Sequence, residues 1–345
     1  MLGTLITLEP AGLFCAPGGF YVDPWQPVEH AVITHAHGDH ASFGHQHYLV
    51  STSGEHVTRS RVGSDAAVQT LAYGESISIG DVKVSLHPAG HVLGSAQVRI
   101  EYDGEVWVVS GDYKLQPDST CTPFEPVRCD TFITESTFGL PIYRWRPPSE
   151  LFSDLNRWWS ENRAAGRASV VYAYALGKAQ RVIANADASI GPIYTHGAVE
   201  RLNEAYRASG VPLPPTHRVS ETLRGHDFSG ALIVAPPSAQ STPWLRRFGE
   251  YVDAFASGWM QIRGIRRRRA VDRGFALSDH ADWPGLLQAI SATHAQRVFV
   301  THGYSDPLVR WLGERGIDAK TLVTRFTGEE GSAESEPESQ TVEAQ

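Results

Sequence analysis

Cysteine and lysine are both scarce in this chain. Its three cysteines (Cys15, Cys121 and Cys129) are odd in number and widely spaced. No disulfide framework is indicated, and buried thiols in a reduced, cytoplasmic protein are the simplest reading. No apolar run approaches the roughly 18 residues needed to span a bilayer, so no membrane association is expected. The segment Met1 to Pro10 lacks a basic stretch followed by an apolar one, so no signal peptide is expected either. Of the 30 basic residues only Lys83, Lys114, Lys178 and Lys320 are lysines. A GC-rich genome explains such usage. Arginine also suits bidentate phosphate contacts, and usage alone does not choose between the two.

The chain has 345 residues and 41% hydrophobic content, enough for a sizeable core and two domains. Its formal net charge of −8 looks wrong for a protein that handles nucleic acid. The charge is unevenly placed, however. Residues 328–345 hold six glutamates and no lysine or arginine, and without them the chain carries only −2. This acidic stretch cannot bury apolar surface and is expected to be a disordered tail.

Short apolar, β-branched runs end repeatedly on polar residues. Residues 28–34 run into His35, 82–86 precede His91, and 106–110 lead to Asp112. Residues 131–134 run into Glu135, 275–277 precede His280, and 297–301 run into His302. These read as buried strands. Ligands gather beyond strand ends in layered α/β proteins, where loops aim side chains without disturbing the sheet. The middle of the chain differs. A helix is expected over 151–163 with Ser149 as its N-cap. Strands at 169–173, 192–195 and 231–235 then alternate with helices at 178–183 and 199–208. Such alternation implies a small parallel sheet, inserted between Glu135 and His280.

The run His35, His37, Asp39, His40 gathers three imidazoles and a carboxylate within six residues, and Gly38 favours a tight loop. Two metals cannot share one ligand set, so neighbours must divide between them. Imidazole suits zinc, and the carboxylate suits a second, harder metal. His45 and His47 repeat the spacing without the acid or the preceding strand. His91 lies between Gly90 and Gly94, which lets backbone approach a metal, although a lone histidine is ordinarily a structural residue. Asp112 after Gly111 is either a turn residue or a carboxylate able to bridge two cations. Asp23 before Pro24 is, by itself, a turn signal.

Taken together these residues resemble the metallo-β-lactamase superfamily and, within it, the β-CASP nuclease branch. The resemblance runs from residue 1 to about 325. Asp23 matches the first motif, His35, His37, Asp39 and His40 the second, His91 the third and Asp112 the fourth. Glu135, His280 and His302 match the three β-CASP motifs, and residues 175–180 resemble a recurring segment of the inserted domain. The implied fold is α/β: a metallo-β-lactamase αββα sandwich (1–140 and 276–327) with an inserted small α/β β-CASP domain (141–275), followed by the acidic tail. Residues 236–246, 257–260 and 275–283 resemble bacterial ligase-associated DNA exonucleases. That likeness implies DNA as substrate, a role in DNA repair, and an ATP-dependent DNA ligase and a helicase as partners.

The resemblance also implies a mechanism. His35, His37 and His91 would hold one Zn2+, and Asp39, His40 and His302 the other, with Asp112 bridging. Mn2+ is the alternative metal. A hydroxide between the metals would attack phosphorus, His280 held by Glu135 would serve as general acid, and Asp23 would orient a metal ligand or water. For substrate, Arg263, Arg266, Arg267, Arg268 and Arg269 form a basic run upstream of His280 that fits a phosphate-tracking groove. On an edge strand only half of them would face the substrate. Lys178, near a strand-to-helix turn, is a further phosphate candidate. Two other readings stand beside the DNA exonuclease: an RNA-processing nuclease with the same chemistry, and a non-catalytic nucleic-acid-binding protein.

Overall fold

The β-branched runs form strands that collect into three sheets. The structure is a computed structural model that describes residues 5–326, so the acidic stretch 328–345 lies outside the described residues. The first sheet has six strands in chain order: Ile6–Glu9, Gly12–Cys15, Phe20–Val22, His30–Val32, His47–Ser51 and Val68–Leu71. The second has seven, in the order Asp318–Thr321, Arg297–Gly303, Thr131–Ser136, Glu105–Val109, Ala96–Tyr102, Val82–Pro88 and Ser76–Ile79. The first four of these pair in parallel and the rest antiparallel.

Strict alternation along the central strands of the second sheet builds two cores. Trp107, Val109, Ile133 and Phe299 pack against Leu13, Phe20, Val22, Val32 and Leu49 of the first sheet. Their neighbours Val108, Phe132, Val298 and Val300 face the opposite way. They meet Leu286, Ala289 and Ile290 of the helix Trp283–Thr293 and Leu308 and Leu312 of the helix Ser305–Gly313. Both faces of these strands are therefore buried, which is why they read as continuous apolar runs.

The third sheet is parallel throughout. Its order is His217–Arg218, Ile193–Thr195, Leu232–Ala235, Ala168–Tyr172, Tyr251–Ala256 and Arg273–Phe275. The helices Pro148–Ala164, Lys178–Ala184 and Gly197–Ala208 cover one face through Leu155, Trp158, Trp159, Val182, Val199 and Leu202. The chain enters at Ala168–Tyr172, fills one side of the sheet and then the other. A crevice opens beyond the carboxyl ends of strands at such a reversal.

Three local expectations change. The helix expected over 151–163 with Ser149 as its N-cap begins three residues earlier, at Pro148, with Pro147 in the cap position. Proline's fixed φ suits the first helical position, where no N–H is needed. The strand expected over 275–277 ends at Phe275, because the Leu277 amide turns back to the Phe275 carbonyl at 2.8 Å. The arginine run is not an edge strand: Arg263–Arg268 is a short helix.

Phe132 is fully buried under the two covering helices. Phe132→Ala should lower the unfolding free energy by about 3–5 kcal/mol, read as a shifted denaturant midpoint with unchanged slope. Burial also pushes the thiols of Cys15 and Cys129 up to about 11 and about 12. A raised thiol pKa means little thiolate near neutrality. A disulfide-exchange reagent at about pH 8 should therefore modify these two cysteines only slowly in the native protein and rapidly after unfolding.

Candidate metal centre

The histidines of the first and second sheets meet at one carboxylate. Asp112 lies just beyond the strand Glu105–Val109 and is buried. Its Oδ1 is 3.2 Å from Nε2 of His302. Its Oδ2 is 3.5 Å from Nε2 of His35, 3.7 Å from Nε2 of His40, 3.8 Å from Nε2 of His91 and 3.9 Å from Nδ1 of His280. Burial alone would favour the neutral acid. The charges of His40, His302 and His280 outweigh it and hold the Asp112 carboxyl well below the usual range.

Hydrogen bonds on the outer side of each ring fix which nitrogen points inward. The Thr34 hydroxyl donates to Oδ2 of Asp23 at 2.5 Å, so it accepts from Nδ1 of His35 at 3.1 Å. The same device recurs at His302: the Thr301 hydroxyl donates to the Thr134 carbonyl and faces Nδ1 of His302 at 3.2 Å. Asp23 also accepts from Nδ1 of His40 at 2.7 Å and from the Thr34 amide at 2.7 Å. Asp23 holds these three bonds from a left-handed backbone, φ 46°, which is costly for a non-glycine residue and persists where surrounding bonds enforce it. In each case Nε2 is the nitrogen turned inward towards Asp112.

His37 and His91 face each other across the same space. Nε2 of His37 donates to the Leu176 carbonyl at 3.2 Å, and Nδ1 of His91 donates to the Asp279 carbonyl at 2.9 Å. The two remaining nitrogens, Nδ1 of His37 and Nε2 of His91, face each other at 3.0 Å. Two lone pairs cannot bond to each other. Only a proton or a metal ion between them reconciles the contact, and burial disfavours the proton, lowering both imidazoles and His35 as well. Buried Nε2 atoms of His35, His40 and His302 and Oδ1 of Asp112 also lack hydrogen-bond partners. His35, His37, His91 and Asp112 each offer a ligand atom within 4.8 Å of the others. The donor set therefore fits a cation. Asp39, with Oδ2 3.8 Å from Nε2 of His40, extends it on the His40 and His302 side.

Glu135 and His280 form a separate pair beside this set. Glu135, within the strand Thr131–Ser136, accepts from the Tyr113 amide at 2.8 Å and the Thr137 amide at 3.3 Å. Its carboxylate takes Nδ1 of His280 at 2.9 and 3.1 Å. Burial would lower His280, but Glu135 and Asp112 outweigh it and raise its pKa to about 10.

The structure thus brings together Asp23, His35, His37, Asp39, His40, His91, Asp112, Glu135, His280 and His302. His45 and His47 stay outside: burial lowers His45 to about 4, and His47 stacks on His30. Lys178 departs from its expected role. It is 1% exposed and ion-paired with Asp279, so it presents no charge to a phosphate. The arginines divide. Arg263, Arg266, Arg267 and Arg268 are exposed, whereas Arg269 is half-buried with its guanidinium over Phe255. Sequence reasoning missed Thr34, Thr301 and Asp279. The threonine directly before both His35 and His302 was the available signal.

No family model matches the chain. It is 31% identical over 312 residues to a "Probable DNA ligase" of Opitutus terrae, a match covering 89% of this chain and 30% of that protein. It is 31% identical over 126 residues to "Endoribonuclease ysh-1" of Neurospora crassa, covering 34% and 14% of the two chains. An "RNase J-like protein" of Methanocaldococcus jannaschii matches at 28% over 149 residues, covering 40% and 35%. The chain thus spans well under half the length of these curated relatives. The crystal structure of a protein of unknown function from Enterococcus faecalis superposes with a TM-score of 0.60 over 86% of this chain and 80% of that one. At 14% identity that likeness speaks for the fold alone. Taken with the likeness to the endoribonuclease and the RNase J-like protein, this histidine and carboxylate set, shared out between two sheets, places the chain in the β-CASP nuclease branch of the metallo-β-lactamase superfamily.

Proposed function

We propose that the protein is a metal-dependent nuclease that hydrolyses DNA phosphodiesters, acting as an exonuclease in repair. The observation that carries the reading is the convergence of inward-turned imidazole nitrogens on Asp112, with the facing nitrogens of His37 and His91, beside the Glu135 and His280 pair. The first two sheets with their outer helices would form the metallo-β-lactamase sandwich, and the third sheet with its helices, within 141–275, the inserted β-CASP domain. His35, His37 and His91 would hold one Zn2+ or Mn2+ ion. Asp39, His40 and His302 would hold a second, and Asp112 would bridge. The chemistry a divalent ion supplies when bound is Lewis-acid assistance: charge withdrawal from the phosphodiester and acidification of water towards neutrality.

The chain's own residues supply the rest. Asp23 and the two threonines fix the tautomers that keep Nε2 available to metal. Nδ1 of His280 is committed to Glu135, so Nε2 is the atom that hands a proton to the leaving oxygen. The exposed arginines of Arg263–Arg268 would track the backbone of the substrate. On a helix Arg263, Arg266 and Arg267 share one face, which lets three adjacent charges act together. Trp259, just ahead of this helix, packs on Phe138 with ring centroids 4.7 Å apart, and Phe138 lies 6.0 Å from His280. The basic helix is thereby tied to the acid through two aromatic rings. Among the described residues no helix is long and apolar enough to cross a membrane, and the three cysteines are unpaired, which supports a reducing, cytoplasmic setting.

The name of the Opitutus relative supports DNA and a ligase partnership; a helicase as the further partner rests on the sequence resemblance alone. The names of the endoribonuclease and RNase J-like relatives favour RNA processing as the second reading. Digestion of matched end-labelled DNA and RNA oligonucleotides with Zn2+ or Mn2+ separates the two. DNA should be degraded stepwise from an end, and cleavage of RNA alone would replace the first reading with the second. Asp39→Ala and His40→Ala should abolish cleavage, and undiminished activity in either would remove these residues from the centre. His280→Ala should slow turnover by about 10²–10⁴-fold while leaving metal content unchanged.

A further inference from the structure

The third sheet does more than lie beside the metal centre; its carboxyl edge touches two of the histidines. Beyond the strand Ala168–Tyr172, the Leu176 carbonyl takes the outer nitrogen of His37. The helix Lys178–Ala184 then begins with Lys178, whose ammonium is ion-paired with the Asp279 carboxylate. The carbonyl of that same Asp279 accepts from Nδ1 of His91 at 2.9 Å. One turn along the helix, Arg181 donates to the Ser278 carbonyl at 2.6 Å and to the His91 carbonyl at 3.4 Å, and is ion-paired with Asp118. Lys114 donates to the Ser278 carbonyl from the other side at 2.5 Å. Lys178, Asp279 and Arg181 are each at most 2% exposed.

A buried lysine and a buried arginine, three residues apart on one helix, are costly unless paired and hydrogen-bonded. Here both are spent on the backbone and side chain of residues 278–279, the segment that fixes the His91 tautomer and leads into His280. Both are also out of reach of a polyanion. We propose that Lys178 and Arg181 are positioning residues: through Asp279 they lock His91, and with the Leu176 carbonyl they set the His37 and His91 half of the metal centre. Half of that centre is therefore assembled by the third sheet, and its metal is held only when this edge is docked. The third ring of that half, His35, is held through Thr34, and the His40 and His302 half is held by Asp23 and Thr301, independently of this edge.

This inference rests on the metal-centre reading but not on the identity of the substrate, so its first readout is metal binding rather than cleavage. Lys178→Met should weaken one of two Zn2+ equivalents by about 10–100-fold in competition titrations with a chromophoric chelator, leaving the other unchanged. On whichever nucleic acid the wild type cleaves, kcat should fall with KM nearly constant. The salt dependence of DNA binding should keep its slope, whereas loss of a phosphate contact would reduce that slope by about one. Because an unpaired buried carboxylate could itself unfold Lys178→Met, the double variant Lys178→Met/Asp279→Asn removes both charges and keeps the carbonyl. The same selective metal loss in the double variant supports the proposal. Two wild-type Zn2+ affinities in the folded double variant, or a raised KM and shallower salt slope with full metal binding, overturn it. Unaltered metal binding with no nuclease activity even in the wild type would instead count against the proposed function.

Discussion

Everything at this centre follows from placing one carboxylate among five imidazoles away from water. The nitrogens of His35, His40, His91, His280 and His302 all lie within 3.9 Å of Asp112. In such a place an imidazole that ionises needs a counter-charge, and one that does not must have its lone pair taken up. The protein divides the rings accordingly. His280 receives its own carboxylate, Glu135. His40 shares Asp23 on its outer nitrogen, and the charges of Asp39, Asp112 and Asp23 overcome burial to push it up to about 10. His35, His37 and His91 are kept unprotonated by burial, and their lone pairs point at one another across a space a cation fits.

The outer bonds make that division permanent. A neutral imidazole has one donor and one acceptor nitrogen, so a fixed acceptor outside the ring decides what faces inward. Thr34 and Thr301 act as relays because each hydroxyl already donates elsewhere, to Asp23 and to the Thr134 carbonyl, and so can only accept from the neighbouring ring. The left-handed backbone of Asp23 is explained on the same terms. Its carboxylate must reach the Thr34 amide, the Thr34 hydroxyl and His40 at once, and the local strain is the cost of that reach.

Much of this was legible in the sequence because it is local. The cluster His35–His40 follows a short buried strand, Asp112 and His91 follow two more, and the strand and helix alternation of 169–235 pointed to a parallel sheet directly. What was not legible is what depends on partners distant in sequence. Nothing around Lys178 reveals that it meets a carboxylate 101 residues away, so a lysine at a strand-to-helix turn read as a phosphate ligand. The arginine run read as strand because charge density carries no period. Ile262 and Ile265, three residues apart and packed on the third sheet's outer cluster, set the helical phase there. Ser149 lost the cap to proline chemistry, since Pro148 already supplies the helical φ.

The division of labour between the sheets has a consequence for how the centre can be built. Residues holding His40 and His302 come from the first two sheets, whose shared core of Leu13, Val22, Val32, Val109, Ile133 and Phe299 lies directly beneath them. Those holding His37 and His91 include the edge of the third sheet, at the point where its strand order reverses. A crevice is expected there because loops diverge from adjacent strand ends. In this protein that crevice is filled by residues 278–280 and the buried cations that grip them. The parallel sheet thus uses its usual ligand-binding position to hold a piece of its own chain. The arginine helix, by contrast, is left exposed, joined to His280 through the ring contacts of Trp259 and Phe138.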